Sequence, residues 1–274
     1  MSSAELLPVP ARWRPSPFIV GSVLLHGALL LAFAVQPAWW PQLLALLIVN
    51  HVLLTLCGLL PRSRWLGPNL TRLPTAAAAR NEIAITIDDG PDPEVTPAVL
   101  DLLDRHQARA TFFCIGVKAE RHPALCREIV RRGHAVENHS QHHRHNFSFL
   151  GRAGFRRELQ LAQDTLTTIT GRRPGFVRAP AGLRNPLLDP VLHGMGLRLA
   201  SWTRRGFDTR TSDPDLLLRR LAKHLRAGDI LLLHDGNAAR GADGVPAILQ
   251  VLPRLLERIA AAGLRPVTLR EAHQ

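Results

Sequence analysis

Four short stretches carry residue types and spacings that can do chemistry. The first is Thr86-Ile87-Asp88-Asp89-Gly90-Pro91. Two adjacent carboxylates after an apolar run can divide labour, one ligating a cation and one accepting a proton. Asp-Gly-Pro is also ordinary turn chemistry, so alone it is weak. The second stretch holds His139 and His143, four residues apart. On a helical turn that spacing puts both imidazoles on one face, as a metal site requires. The competing reading is a solvated His-rich loop in which His142 and His145 are bystanders. The third is Arg178-Ala179-Pro180-Ala181-Gly182, where an Arg can orient a carboxylate or face developing negative charge. The fourth is Leu231-Leu232-Leu233-His234-Asp235, where a His leaving an apolar run suits a general acid or base. Each has a bland alternative; the four in order make a constellation.

The elements that must position them alternate regularly. Apolar runs at 83–87, 110–115, 135–137, 176–178, 197–202, 230–233 and 266–269 predict seven strands. Amphipathic stretches at 97–106, 123–132, 152–170, 186–195, 214–225 and 245–262 predict helices between them. This alternation predicts a parallel sheet, open or closed into a barrel. The four stretches each follow a predicted strand, where parallel α/β folds place their sites.

The chain begins differently. Residues 17–35 and 42–60 carry no charge and are each long enough to cross about 30 Å of hydrocarbon as a helix. The short connection between them predicts an antiparallel transmembrane hairpin. Trp39 and Trp40 mark one interface, and Trp13 and Trp65 the other. The alternative is a cleaved signal peptide followed by a soluble helix. Arg12 and Arg14 precede the first span, and Arg62, Arg64 and Arg72 follow the second. The positive-inside rule then places both ends, and the domain after them, in the cytoplasm, as a two-span anchor of a bacterial inner membrane; an extracytoplasmic placement is the alternative. The expected organisation is a tail at 1–16, an anchor at 17–60, a linker at 61–81 and a catalytic domain at 82–274. The net charge of +12 fits a neighbouring anionic membrane. No nucleic-acid motif accompanies it, so nucleic acid is not an expected partner. Cys57, Cys114 and Cys126 form no paired motif and read as free thiols.

From residue 82 to 272 the sequence resembles the NodB-homology domain of polysaccharide deacetylases, carbohydrate esterase family 4. Residues 86–91 resemble its T-F-D-D-G-P motif, His139–His143 its H-S/T-x-x-H, and 178–182 its R-x-P-Y-G. Trp202 with Asp208, and Leu232-Leu233-His234, resemble the last two motifs. The resemblance implies a distorted (β/α) barrel of about seven strands. It implies Asp88 as general base, His234 as general acid, Arg178 orienting Asp88 and Asp208 tuning His234. It assigns Asp89, His139 and His143 to one divalent metal ion, zinc by its donor set, with Co²⁺, Mn²⁺ or Ni²⁺ as substitutes. The Ala181 N–H would help hold an oxyanion, with Pro180, Leu232 and Trp202 on the substrate side. The expected activity removes N-acetyl, or O-acetyl, groups from a carbohydrate containing N-acetylglucosamine.

Two aromatic positions depart from the family pattern. Ala181 stands where Tyr is usual, and Phe207-Asp208-Thr209 where Asp-Trp is common. Both touch the sugar groove rather than the metal. Low aromatic content gives no long platform for a polymer, so a polyprenyl-lipid-linked amino sugar at the cytoplasmic face is the alternative substrate, taken by a deacetylase or deformylase. A non-catalytic metal- or carbohydrate-binding membrane protein is the alternative of another class. Expected partners are the acetylated carbohydrate or lipid-linked sugar and membrane lipids. The sequence sets no oligomeric state.

Overall fold

A computed structural model describes residues 12–274 of the chain; the expected tail at 1–16 lies largely outside the described residues. Two long helices come first, α1 (Pro17–Val35) and α2 (Trp40–Leu59), joined by a single 3₁₀ turn at Pro37–Trp39. Both are long and apolar enough to cross a membrane. Their side chains face outward: Leu30 is 71% exposed and Val35 75%. Ser22 and Asn50, the polar residues inside the pair, meet through a 2.9 Å hydrogen bond from Asn50 Nδ2 to Ser22 Oγ.

A short helix α3 (Thr75–Ala79) leads into the α/β domain. It continues β1 (Glu82–Asp88), α4 (Thr96–Arg105), β2 (Ala110–Cys114), α5 (Gly116–Arg121), α6 (Pro123–Arg131) and β3 (Ala135–Asn138). Then come α7 (Arg152–Thr170), β4 (Phe176–Val177), α8 (Leu188–Gly194), β5 (Arg198–Leu199) and β6 (Arg204–Arg205). The last elements are α9 (Pro214–Ala222), β7 (Ile230–His234), α10 (Ala247–Ala261) and β8 (Arg265–Val267).

All ladders are parallel. The strand order is β5-β4-β3-β2-β1-β7-β6, with β8 pairing β1. This is an α/β distorted barrel as expected, with two adjustments. The predicted strand at 197–202 is regular only at Arg198–Leu199, and the two-residue β6 adds an edge strand.

The period-2 pleat decides what faces inward. On β1, Ile83, Ile85 and Ile87 pack outward in the cluster shared with α4, α9 and α10. Ala84 points into the barrel with Phe113, Ile230 and Leu232. Thr86 and Asp88 share its parity and therefore face the interior. On β7 the same alternation sends Leu231 and Leu233 outward and leaves His234 on the side of Leu232. The sheet thus delivers Asp88 and His234 side by side, and they are register partners in the β1–β7 ladder.

Residues 61–81, expected as a linker, are packed. Leu66, Leu73 and Ala77 are buried. Leu70 pairs with the end of β5, accepting from Ser201 N at 2.8 Å and donating to Leu199 O at 2.9 Å. Asn69 Nδ2 donates to the carbonyls of Pro61 and Ser63. The segment after α2 is therefore part of the barrel wall.

Candidate active site

The site lies at the C-terminal ends of the strands. A cavity of about 130 Å³ is lined by Asp88, Asp89, His139, His143, Ala181, Trp202, Leu232 and His234, together with Gly182, Arg205, Thr209 and Asn237. Eight of the eleven residues singled out in the sequence therefore meet in one place. Arg178 and Asp208 stand directly behind it. Pro180 is buried in the turn that carries Ala181 and does not line the cavity.

Arg178 is 1% exposed, and its guanidinium is fully engaged. Nη1 donates to Asp88 Oδ1 at 2.7 Å and to Thr86 Oγ1 at 2.8 Å. Nε and Nη2 donate to the carbonyls of Ala200 and Ser201. The guanidinium also lies 4.2 Å from the centre of the Phe113 ring. Burial draws its pKa down, and the charge of Asp88 opposes the shift. Asp88 is thereby fixed through one oxygen, with Oδ2 3.9 Å from His139 Nε2.

Asp89, His139 and His143 each offer one ligand atom, and these atoms lie within 4.8 Å of one another. Asp89 Oδ1 is buried and accepts no hydrogen bond. It stands 3.3 Å from His139 Nε2 and 3.2 Å from His143 Nε2. His139 Nδ1 meets the Arg178 carbonyl at 2.8 Å, which makes it the N–H nitrogen and leaves Nε2 as a lone-pair donor.

The electrostatics match a cation site. Burial alone would lower the pKa of His139, but Asp88 and Asp89 raise it. Burial, then His139, lower that of His143 to about 4, keeping it neutral. Burial would raise the Asp89 carboxyl, yet the three imidazoles of His139, His234 and His143 hold it well below the usual range. A buried carboxylate oxygen without a hydrogen bond, facing two imidazole nitrogens, fits a divalent ion.

The two histidines do not ride a helical turn, as their spacing predicts. β3 ends at Asn138, and the segment carrying both histidines is a loop in which Ser140 (φ 63°) and His143 (φ 49°) are left-handed, as is Asp89 (φ 73°). Such conformations cost of order 1 kcal/mol or more each in non-glycine residues and persist where the surroundings enforce them. Asn138 enforces part of this turn: its Oδ1 accepts from Ser140 N, and its Nδ2 donates to Leu159 O and Gln163 Oε1. The bystander reading holds for His142, which pairs with Glu158 on α7 at 2.9 Å. His145 is exposed.

On the other side, His234 Nδ1 lies 2.9 Å from Asp208 Oδ1, and Asp208 Oδ2 accepts the His234 backbone N–H at 2.7 Å. Asp208 is fully buried. Burial would lower the pKa of His234, but Asp208 first, then Asp88 and Asp89, raise it. Asp235 follows His234 in the sequence and carries no expected role there. It is buried, accepts from Thr96 Oγ1 at 2.5 Å, and burial pushes its carboxyl up to about 7.

Gly182, Arg205, Thr209 and Asn237 were not singled out in the sequence. Gly182 closes the 178–182 stretch and Thr209 follows Asp208, but neither was given a role of its own. Arg205 lies on the two-residue strand β6, too short to show a period, and Asn237 in a loop after β7 with no signal of type.

The polysaccharide deacetylase family matches residues 75–200. A peptidoglycan-N-acetylglucosamine deacetylase of Bacillus cereus is 34% identical over 199 residues, covering 69% of this chain and 86% of that protein. A chitooligosaccharide deacetylase of Azorhizobium caulinodans is 40% identical over 162 residues, covering 57% of this chain and 75% of that protein. The solved family 4 carbohydrate esterase of Streptomyces lividans, in complex with acetate, superposes with a TM-score of 0.61 at 30% identity, over 68% of this chain and 91% of that one. The chain belongs to the polysaccharide deacetylase family, and is an amide hydrolase by that membership.

Proposed function

We propose that the chain is a membrane-anchored hydrolase that removes the N-acetyl group from a carbohydrate containing N-acetylglucosamine. The observation that carries this reading is the juxtaposition across one cavity of the Asp88–Arg178 pair, the Asp208–His234 pair and the Asp89–His139–His143 cluster. Asp89, His139 and His143 would hold one divalent ion, zinc by its donor set, which supplies Lewis acidity toward water and the acetyl carbonyl.

The remaining chemistry falls to side chains. Asp88, oriented by Arg178, takes a proton from the attacking water through Oδ2. Water oxygen bonds to the acetyl carbon, and the C–N bond breaks. His234, with Nδ1 held by Asp208, presents Nε2 to the cavity and protonates the departing nitrogen. The products are acetate and the free amine. Ala181, left-handed at φ 54°, lines the cavity where its backbone N–H can face the oxyanion.

The two apolar helices act as the anchor in this reading, with arginines at both hairpin ends on the cytoplasmic side. The test is acetate release from N-acetylglucosamine oligomers by detergent-solubilised protein. Release should stop on chelation and return with Zn²⁺. Asp88→Asn should lower kcat by roughly 10²–10⁴-fold while retaining bound metal. Tight metal binding without turnover in the native chain would point instead to a non-catalytic binding role.

A further inference from the structure

One charged group in the cavity has no task in this chemistry. Arg205 lies on β6 opposite Leu232 of β7 and lines the same cavity as Asp88 and His234. Its guanidinium rests 4.8 Å from the Phe207 ring centre and 5.5 Å from that of Trp202. Nε is buried and makes no hydrogen bond. Among the described residues no carboxylate lies within ion-pair distance of it, whereas Arg204 beside it is paired with Asp229 at 2.9 Å. Stacking occupies the faces of a guanidinium and, with Nε buried, leaves the edge of its two terminal nitrogens available. That edge matches two oxygens of one phosphate.

A second observation concerns the mouth of the cavity. Two residues beyond the end of α2, Pro61 packs against the cavity wall. A Cβ on Gly182 would lie 2.6 Å from Pro61 Cβ and 2.7 Å from Trp202 Cη2, so the three are in close contact. Ser201 Oγ donates to Pro61 O at 2.6 Å, and Arg62 Nη1 to Thr203 O at 3.1 Å. The site therefore opens beside the exit of the apolar hairpin, where an amphiphile held in a bilayer presents its polar head.

We propose that the substrate of this site is an amino sugar linked through a phosphate or diphosphate to a lipid, with Arg205 gripping the phosphate. This rests on the deacetylase reading of the site. Arg205 is then a specificity residue: it touches the substrate away from the acetamide. The lipid supplies local concentration, and the phosphate supplies register.

The test uses the full, metal-loaded chain in lipid nanodiscs. Acetate release is compared for a neutral N-acetylglucosamine oligomer, N-acetylglucosamine 1-phosphate and a polyprenyl diphosphate carrying the same sugar. The lipid-linked substrate should have the highest kcat/KM. Its preference over the neutral oligomer should fall roughly tenfold or more in R205Q and recover in part in R205K. Equal losses on all substrates in R205Q would reduce Arg205 to a packing element and overturn the proposal. A phosphate preference that the lipid does not enhance would overturn the lipid half and identify a soluble sugar phosphate. Calorimetry of N-acetylglucosamine 1-phosphate against D88N and D88N/R205Q separates the two readings. If no substrate releases acetate yet phosphate binding depends on Arg205, the deacetylase reading fails and the phosphate site stands. If acetate is released and no Arg205-dependent binding exists, the reverse holds.

Discussion

At the scale of single residues the site works by opposing burial with charge. His234 is a clear case. Burial alone would favour the neutral ring, yet Asp208 at 2.9 Å, helped by Asp88 and Asp89, raises its pKa above the ordinary value. In its proposed role as general acid, His234 must carry its proton when the substrate arrives. Activity should therefore be lost as pH rises through this raised value, giving the alkaline limb of kcat/KM. Removing the Asp208 charge reverses the balance, because burial then acts unopposed. Asp208→Asn should move the alkaline limb to lower pH and reduce kcat/KM at pH 8 by at least about tenfold. A pH profile of both proteins decides it: a limb that stays in place would mean another group donates the proton. Ser140, His143 and Asp89 make the complementary point. Their left-handed backbones are held by neighbours such as Asn138 rather than by local preference, so strain is concentrated where the Asp89, His139 and His143 side chains converge.

At the scale of elements, the strands place these residues by parity, and a buried neutral histidine helps hold two of them in register. His134, in the turn before β3, accepts the Ala110 N–H through Nδ1 at 3.2 Å and meets Phe112 edge-on. Burial lowers its pKa from 6.5 to about 4. Because the folded value is depressed, its contribution to stability is complete above pH 6.5 and is lost as pH falls towards 4. The whole effect is of order 3 kcal/mol. The midpoint of urea unfolding in detergent should fall between pH 7.5 and pH 5, and fall less in His134→Gln; an identical acid loss in both would assign it to other groups. Much of this level was legible in the sequence. Ile83, Ile85 and Ile87 announce a strand with one face on helices, and the motif residues follow strand ends. What was not legible is what repeats too briefly to show a period. β6 is two residues long, and α5 is six residues between a strand and another helix. The helical turn expected from the His139–His143 spacing is a loop, because two side chains four apart can converge through left-handed residues as well. Arg205 was invisible for the same reason: its partners Trp202 and Phe207 are near in sequence but belong to no regular pattern.

At the scale of the whole molecule, the helical hairpin and the barrel are joined by more than a tether. The backbone of Gly58, the next-to-last residue of α2, accepts the Arg184 N–H at 3.2 Å. Arg184 in turn donates to Ser63 O and Gly67 O. Trp13, ahead of α1, donates to Asp189 Oδ2 at 2.7 Å, and Ser16 Oγ donates to Trp65 O at 2.5 Å. Both ends of the hairpin are thus tied to the α/β domain and to each other. Gly58 is the tightest point of this joint, since a Cβ there would stand 2.2 Å from the Arg184 carbonyl oxygen. Backbone cannot yield as a flexible side chain does, so Gly58→Val should lift the end of α2 from the barrel. Exposed Arg62 and Arg64 would then be cut by trypsin severalfold faster, because cleavage follows local opening. Metal content should be unchanged, as the ligand loop is carried by β1 and β3. Gly27→Val is the matched control: Gly27 lies mid-span in α1 with open space around it, and its cleavage rate should match that of the native chain. Equal protection in Gly58→Val would mean that the joint is held elsewhere, through Trp13 and Asp189. Faster cleavage in both variants would mean that the hairpin itself, rather than its seat on the barrel, protects residues 61–70.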